Sequence, residues 1–366
     1  MTACLAPNGQ NVFRGGEPCT RLLVGTLRGL RILERQGPGS SWSAAGEKLE
    51  RMHISSMMFE PKHRGLFAGV HDGGVQFSSD GGQTWESRSR GITVEHLFTL
   101  GYSEPPFGIV LYAGTEPAAL FKSHDYGQSW QELPALRGVP DIDKWCFPAP
   151  PHLGHTKTLA FDPRDQNVIY AGIEQGALLK SVDAGVSWRE LAGFSKPDDA
   201  VYKDVHQVVL RPSHPDEIFM TGGMGLYHST DAGETWEHVT KRDFRLGYPD
   251  QIVFSPLDDR VIFMSGSSRN PGSWRQSHHA DSTIMRSRDA GKTWELANNG
   301  LPENMRANIE AMSVYAWTKG YALFAGNTDG DVFCSEDEGE SWTRIAEGLA
   351  PVSKGGHFRN LQAAAA

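Results

Sequence analysis

Short runs of β-forming residues alternate with turn signals along most of the chain. A typical stretch reads DVHQVVLRP at 204–212, DEIFMTGG at 216–223 and GLYHSTD at 225–231, with glycine, proline or aspartate near each break. Runs of this length, bounded by turn residues, are typical of β-strands. The pattern returns after about 45 residues, the length of a four-stranded antiparallel blade in a β-propeller.

An eight-residue motif, Ser-x-Asp-x-Gly-x-(Ser/Thr)-Trp, closes these units. It predicts a tight hairpin, because an Asp side chain accepts hydrogen bonds from nearby backbone N–H groups and Gly adopts a positive φ. A degenerate copy ends at Trp42, so seven units are expected in all. The six full copies occupy residues 78–85, 123–130, 181–188, 229–236, 287–294 and 335–342.

This octamer resembles the Asp-box (BNR) motif of sialidases, sortilin-like receptors and photosystem-assembly propellers. The chain is similar over nearly its whole length to bacterial BNR-like or WD40/YVTN-like repeat proteins. The resemblance implies an all-β, seven-bladed β-propeller whose Asp boxes are structural turns at the bottom face. It does not imply sialidase activity, because the Arg-Ile-Pro segment of those enzymes is missing from this sequence.

The two ends of the chain predict how the propeller closes. RLLVGT at 21–26 and GLRILER at 29–35 form a strand pair, and no inner strand is evident ahead of it. We expect the strand-like GGHFRNL segment at 355–361 to supply that inner strand and to remove an open sheet edge. Residues 1–366 would then form a single propeller domain.

Charge and cysteine content limit the partners. The 366 residues carry a formal net charge of −9, which argues against a nucleic acid or an anionic membrane surface. No apolar run is long enough to span a bilayer, and the first residues lack a signal-peptide pattern. The four cysteines lie far apart, which fits a reducing compartment. We therefore expect a cytoplasmic protein with a small-molecule substrate.

Ionisable residues recur where each inner strand is expected to begin. His53 and His155 lie eight residues before a proline and His206 lies six before one, which places them on one face of their strands. The strand of His96 needs a bulge, because His96 lies nine residues before its proline. The seven residues are His53, His96, His155, His206, Asp250, Glu310 and His357.

Imidazoles and carboxylates that meet at the top of a central channel predict a metal site. Such ligands suit zinc above all, and also manganese, iron or copper. The predicted metal ligands are His53, His155, His206 and His357. The remaining groups are candidates for general acid or base catalysis. These predicted catalytic residues are Asp250, Glu310 and His96.

Two long insertions, 133–154 and 265–282, interrupt the regular spacing. The first leads into an inner strand and the second joins the second and third strands of a blade, so both are top-face loops. Long loops are commonly functional. The predicted substrate-binding residues are Trp145, Phe147, Trp274, Arg275, His278 and His279. Shorter top loops add His71, Asp72, Glu116, Glu174 and Asp329.

These residues predict a metal-dependent hydrolase or lyase that acts on a small organic molecule. Two alternatives stay open. A non-catalytic propeller would hold a protein or peptide on its top face. A carbohydrate-active glycosidase or lyase would need two carboxylates about 5–10 Å apart, for which Asp250 and Glu310 are the candidates.

Overall fold

The computed structural model describes residues 2–148, 151–196, 203–240 and 243–361. Within these residues most regular structure is β-strand, and the strands form seven sheets. The sheets are the blades of a seven-bladed β-propeller, which confirms the predicted fold class. By internal contacts the chain divides into a first unit, residues 1–55 with 240–366, and a second unit, residues 56–239.

The strands are labelled in chain order. The first group comprises β1 Thr2–Leu5, β2 Asn8–Gly9, β3 Val12–Arg14, β4 Arg21–Thr26, β5 Gly29–Glu34 and β6 Ser43–Lys48. The second comprises β7 Ile54–Glu60, β8 Gly65–Val70, β9 Gly74–Ser78, β10 Glu86–Ser87, β11 His96–Ser103, β12 Val110–Glu116, β13 Ala119–Ser123, β14 Gln131–Glu132, β15 His155–Phe161, β16 Ile169–Glu174, β17 Ala177–Ser181, β18 Arg189–Glu190, β19 Val205–Arg211, β20 His214–Gly222, β21 Gly225–Ser229 and β22 Glu237–Thr240. The third comprises β23 Tyr248–Phe254, β24 Ile262–Ser267, β25 Thr283–Ser287, β26 Glu295–Leu296, β27 Ile309–Trp317, β28 Gly320–Asn327, β29 Val332–Ser335 and β30 Thr343–Ala346.

The second unit contains four blades built from consecutive strands. They are formed by β7–β10, β11–β14, β15–β18 and β19–β22, each in chain order across the sheet. Neighbouring strands of a blade are joined by short turns, so they pair antiparallel. Apolar side chains from adjacent blades form shared cores, one of which includes Leu120, Leu136 and Ile173. This packing holds the third and fourth blades against each other.

The first unit contains three blades, and its first blade differs from the prediction. The inner strand of that blade is β1 at the N-terminus, which pairs parallel with β4, with Ala3 opposite Leu22. The segment predicted to fill this place is instead a 3₁₀ helix, Gly356–Leu361. The expectation of a C-terminal closing strand was therefore wrong. The short sequence TACL carries little strand signal, yet Ala3, Cys4 and Leu5 are fully buried and this burial decides the pairing.

The other two blades of the first unit are formed by β23–β26 and by β27–β30. The N-terminal segment also adds β3 to the second of these, in parallel with β27. The blades are thus mostly antiparallel, with parallel additions from the N-terminal segment.

The Asp boxes form the turns between the third and fourth strands, as predicted. In the box at 123–130, Ser123 Oγ donates to Asp125 Oδ1 at 2.8 Å and accepts from the N–H of Gly127 at 2.8 Å. The hydroxyl of Ser129 donates to Asp125 Oδ2 at 2.5 Å. Hydrogen bonds led by that from Ser129 lower the pKa of Asp125 to about 2. Because the motif satisfies its own polar groups, it is a structural turn.

Both long insertions contain short helices. Residues 133–154 include 3₁₀ helices at Pro134–Gly138 and Ile142–Lys144. Residues 265–282 include the helix α1, Pro271–Ser277, which is capped by the Asn270 side chain. No helix in the described part of the chain is both long and apolar enough to cross a membrane.

Candidate functional site

Five inner strands share a register shift close to their first residue. In β11, β15, β19, β23 and β27 one residue has no partner across the ladder, as in a β-bulge. A bulge re-aims the side chain of the extra residue. The five bulge residues are Phe98, Lys157, His206, Asp250 and Glu310.

The bulge position shows which residues of the inner strands are equivalent, and it differs from the predicted equivalence of His155 with His206. The equivalent of His206 and Asp250 in the fourth blade is Lys157, and His155 lies two residues earlier. Lys157, His206 and Asp250 each precede a proline by six residues. The bulge predicted for the strand of His96 is present, between Leu97 and Thr99.

In the second unit, Glu174 is the centre of a buried charge network. His155 Nε2 donates to its Oε2 at 2.5 Å, and Lys157 Nζ donates to its Oε1 at 2.6 Å. All three side chains are at most 2% exposed. His155 also has its Nδ1 3.3 Å from Glu116. Burial acts to lower the pKa of His155, but the two carboxylates raise it overall, so the protonated imidazole is favoured.

His206 extends this network towards the fifth blade. Its Nε2 lies 3.3 Å from Asp204 Oδ2 and 3.9 Å from Glu174 Oε1. Ligand-type atoms of Glu174, Asp204 and His206 lie within 4.8 Å of one another, a spacing that could hold a metal ion. Two of the predicted ligands, His155 and His206, therefore meet at the same carboxylate.

His96 belongs to a separate group at the start of the third blade. It stacks on His71, with ring centroids 4.4 Å apart, and its Nδ1 is 2.7 Å from Asp72 Oδ1. Phe98 separates this group from His155, on which it stacks at 3.9 Å. The predicted histidines of the second unit therefore form two groups with an aromatic ring between them.

In the first unit, Asp250 and Glu310 meet around a lysine and an asparagine. Lys354 Nζ donates to Asp250 Oδ1 at 2.5 Å. Asn308 Nδ2 donates to Asp250 Oδ2 at 2.7 Å and to Glu310 Oε1 at 3.4 Å. The other oxygen of Glu310 accepts from Ser353 Oγ at 2.8 Å. Both carboxylates are buried, with exposures of 0–1%.

The two carboxyls are in different electrostatic states. Burial raises the pKa of Glu310, and the charge of Asp250 raises it further, against the lowering effect of Lys354. Asp250 holds the lysine directly, so its ionised form is favoured. A buried carboxyl with a raised pKa beside a carboxylate that is paired with a cation is typical of acid and base pairs in enzymes.

Two more predicted ligands lie in the first unit. The Nε2 of His53 donates to the backbone oxygen of Ser353 at 3.2 Å, next to the lysine that holds Asp250. His357 lies in the 3₁₀ helix Gly356–Leu361, and its side chain is outside the described residues. The four-histidine metal set stays a prediction.

The loop residues predicted to bind substrate occupy different environments. Trp145 is half-buried and lines a pocket of about 270 Å³ with Pro117, Arg137 and Leu153. Phe147 meets the ring of His155 edge-on at 5.1 Å.

In the other long loop, Trp274 is 1% exposed and packs with Leu361, and its Nε1 donates to the oxygen of Arg269. Trp274 is thus a core residue of its loop. Arg275 donates to Asn360.

His278 and His279 are adjacent in that loop, and each takes part in its backbone structure. His278 adopts a left-handed conformation at the end of α1. His279 Nε2 donates to the backbone oxygen of Asn304 at 3.0 Å. This hydrogen bond holds the 265–282 loop against the connection between β26 and β27.

Five polar residues of these networks were not predicted: Lys157, Asp204, Asn308, Ser353 and Lys354. For Lys157 the sequence held a usable signal, its constant distance of six residues from the following proline. Lys354 lies in the C-terminal segment, and its pairing with Asp250 spans 104 positions, which no local pattern encodes.

Comparison with known proteins supports the fold and finds similarity to xyloglucanases. The BNR/Asp-box repeat family matches residues 227–238. A xyloglucanase from a Paenibacillus species is 24% identical over an alignment of 228 residues that covers 52% of this chain and 21% of that protein. An ancestral GH74 enzyme superposes with a TM-score of 0.62 at 16% identity, over 80% of this chain and 38% of that one. YCF48 bound to the D1 peptide gives 0.56 at 13% identity, over 87% and 89% of the two chains.

The chain thus spans about a fifth of the length of the curated relative described above. At these identities the two solved structures establish the fold alone. The family match, the repeated octamers and the seven sheets agree with one another. The chain is a seven-bladed β-propeller of the BNR/Asp-box repeat type.

Proposed function

We propose that the chain acts on a carbohydrate, as a glycoside hydrolase for a β-glucan such as xyloglucan. The observation that carries this proposal is the 228-residue similarity to a xyloglucanase. The alignment covers 52% of this chain, roughly half of its seven blades, so the likeness extends far beyond a single Asp box. This favours the carbohydrate alternative over the metal-dependent reaction on a small organic molecule.

The chemistry of glycoside hydrolysis fits the Asp250–Glu310 pair. Such reactions need one protonated carboxyl to donate a proton to the leaving oxygen and one carboxylate as base or nucleophile. Glu310, with its raised pKa, suits the acid, and Asp250, held ionised by Lys354, suits the partner. A single Asn308 nitrogen contacts both, which puts their bonded oxygens at most about 6 Å apart, a limit compatible with the roughly 5–5.5 Å between the carboxyls of retaining glycosidases.

Access to this pair depends on the segment that covers it. Ser353 and the backbone N–H of Lys354 both donate to Glu310. Ser353 and Lys354 are themselves buried. The proposal therefore requires this segment to move aside before a sugar reaches the carboxyls.

The second unit supplies a candidate sugar-binding surface. The pocket beside Trp145 combines an aromatic face with the guanidinium of Arg137. Apolar and aromatic walls with a few polar groups are usual in ligand pockets. Trp145 thus keeps the substrate-binding role that the sequence predicted, as part of this proposal.

The test is release of new reducing ends from xyloglucan and other β-glucans by the full chain. We expect activity on at least one of them, and a loss of about 10³-fold or more in kcat for Asp250→Asn and for Glu310→Gln. Glu60→Gln is the matched control, since Glu60 is an equally buried acid that bonds Tyr126 and backbone N–H groups. No release from any β-glucan, or an equal loss in the control, would overturn the proposal.

The metal-dependent reaction is the second candidate, because Glu174, Asp204 and His206 have ligand spacing. Its predicted ligands remain His53, His155, His206 and His357. A chelator separates the two candidates. Hydrolysis by a carboxylate pair keeps its rate after chelation, whereas a metal-dependent reaction loses it. Saturable binding of oligosaccharide without hydrolysis would instead favour a non-catalytic binding propeller.

A further inference from the structure

We propose that His71, Asp72 and His96 form a binding site for a divalent transition metal ion, with zinc as the best fit. His71 and Asp72 lie in the turn after β8, and His96 is the first residue of β11 in the next blade. All three belong to the second unit. This site is independent of the carboxylate pair proposed for hydrolysis.

The ligand atoms converge. The Nδ1 atoms of His71 and His96 lie 3.0 and 2.7 Å from the same oxygen, Asp72 Oδ1. The two rings stack with centroids 4.4 Å apart and an interplanar angle of 26°. Zinc bonds of about 2.0–2.2 Å in a tetrahedral site place ligand atoms about 3.3 Å apart. A shift of roughly half an ångström in each contact would admit the ion.

Two imidazoles and one carboxylate have the spacing of metal ligands here. Ligand-type atoms of His71, Asp72 and His96 all lie within 4.8 Å of one another. The Nδ1 atom of His96 is buried and contacts the same carboxylate oxygen as the Nδ1 atom of His71. Imidazole nitrogens and a carboxylate oxygen are ligand types that zinc binds in proteins.

The surroundings leave room for the ion and for water. Asp72 is 70% exposed, and the side chains of His71 and His96 are 19% and 32% exposed. Three protein ligands with an open fourth position are typical of zinc sites that bind water or a substrate.

The other group with ligand spacing is less suitable for a cation. Its Glu174 already binds the ammonium of Lys157 at 2.6 Å and the imidazole of His155 at 2.5 Å. A fixed positive charge at that distance repels a metal ion. By contrast, the ion pairs of Asp72 recorded among the described residues are with imidazoles.

Zinc and cobalt(II) titration of the full chain tests the site. We expect one ion per chain, and X-ray absorption of the zinc form should show two histidine ligands. His71→Ala and His96→Ala should each weaken binding by about 100-fold or more. Asp72→Asn, an exposed substitution that leaves the core intact, should weaken it by about tenfold or more.

The controls are histidines from other contacts. His63→Ala removes an exposed histidine that pairs with the single carboxylate of Glu60. His206→Ala removes the imidazole of the buried group. Both variants should bind zinc as the wild type does. Unchanged affinity in Asp72→Asn and His96→Ala, or loss of binding in His206→Ala alone, would overturn the proposal, whatever the outcome of the hydrolysis assay.

Discussion

Replacing Lys354 with methionine tests the charge state assigned to Asp250. The ammonium is 2.5 Å from Asp250 Oδ1, and the two side chains are 3% and 1% exposed. Across that distance the attraction is about 6–7 kcal/mol at an effective dielectric constant near 20. Removing the lysine leaves a buried carboxylate, which becomes protonated because protonation costs less than staying charged.

The cost of that protonation sets the magnitude of the effect. An aspartate with an ordinary pKa of about 3.9 costs about 4 kcal/mol to protonate at pH near 7, and about 1.5 kcal/mol at pH near 5. Lys354→Met should therefore lower the free energy of unfolding by about 4 kcal/mol at the higher pH and by much less at the lower. In the folded state of this variant the pKa of Asp250 is raised. The free energy of unfolding therefore falls as pH rises above the pKa of the same aspartate in the unfolded chain.

Urea unfolding followed by tryptophan fluorescence at the two pH values measures this penalty. The double variant Lys354→Met/Asp250→Asn is the control, since Asp250 can no longer titrate in it, and its stability relative to wild type should change much less between the two pH values than that of Lys354→Met. A penalty below about 1 kcal/mol near pH 7, or one that is equal at both pH values, would refute the assigned ion pair.

Two further predictions concern the second unit and the turns. His155 has a raised pKa through Glu116 and Glu174, so its contribution to stability is complete below about pH 6.5 and is lost as pH rises through the raised value. Melting temperatures from about pH 6 to 9 should fall more steeply for wild type than for His155→Phe, and parallel curves would contradict this. Gly91 has φ +97°, and an added Cβ would lie 2.1 Å from the carbonyl oxygen of an Asp-box tryptophan. Gly91→Ala should lower the free energy of unfolding by about 2–3 kcal/mol. Gly348 also has a positive φ but has open space around it, so Gly348→Ala should lower it by about 1 kcal/mol. Equal losses would show that a shift of the surrounding structure relieves the close contact at Gly91.

The fold was predictable because its repeat unit is local. Each Asp box satisfies its own hydrogen bonds within eight residues, so the motif is visible in sequence and its copies give the number of blades. The inner strand of the first blade was not predictable, because Thr2–Leu5 is only four residues long and pairs parallel with β4, so no hairpin turn marks the pairing. Side-chain alternation carries no information on which of two short segments fills a given edge.

The site was predictable in part. Of the ionisable residues at the inner-strand starts, His155 and His206 both contact Glu174, and Asp250 and Glu310 both contact Asn308, while their functional roles stay predictions. The expected equivalence of His155 with His206 was wrong, because a bulge places Lys157 at the shared position. Lys157 becomes visible when all charged residues at a constant distance from the following proline are compared, whereas a comparison limited to histidines misses it.

The pH dependence of kcat/KM on xyloglucan, measured for wild type and Glu310→Gln, tests the central proposal most directly. We expect a bell-shaped profile for wild type, since the pair needs one ionised and one protonated carboxyl. In Glu310→Gln the decline at high pH should disappear from the residual activity, because that decline reports deprotonation of the acid. A wild type with no turnover, or a variant that keeps both sides of the profile, would contradict the assignment of Glu310 as the acid of a carbohydrate hydrolase.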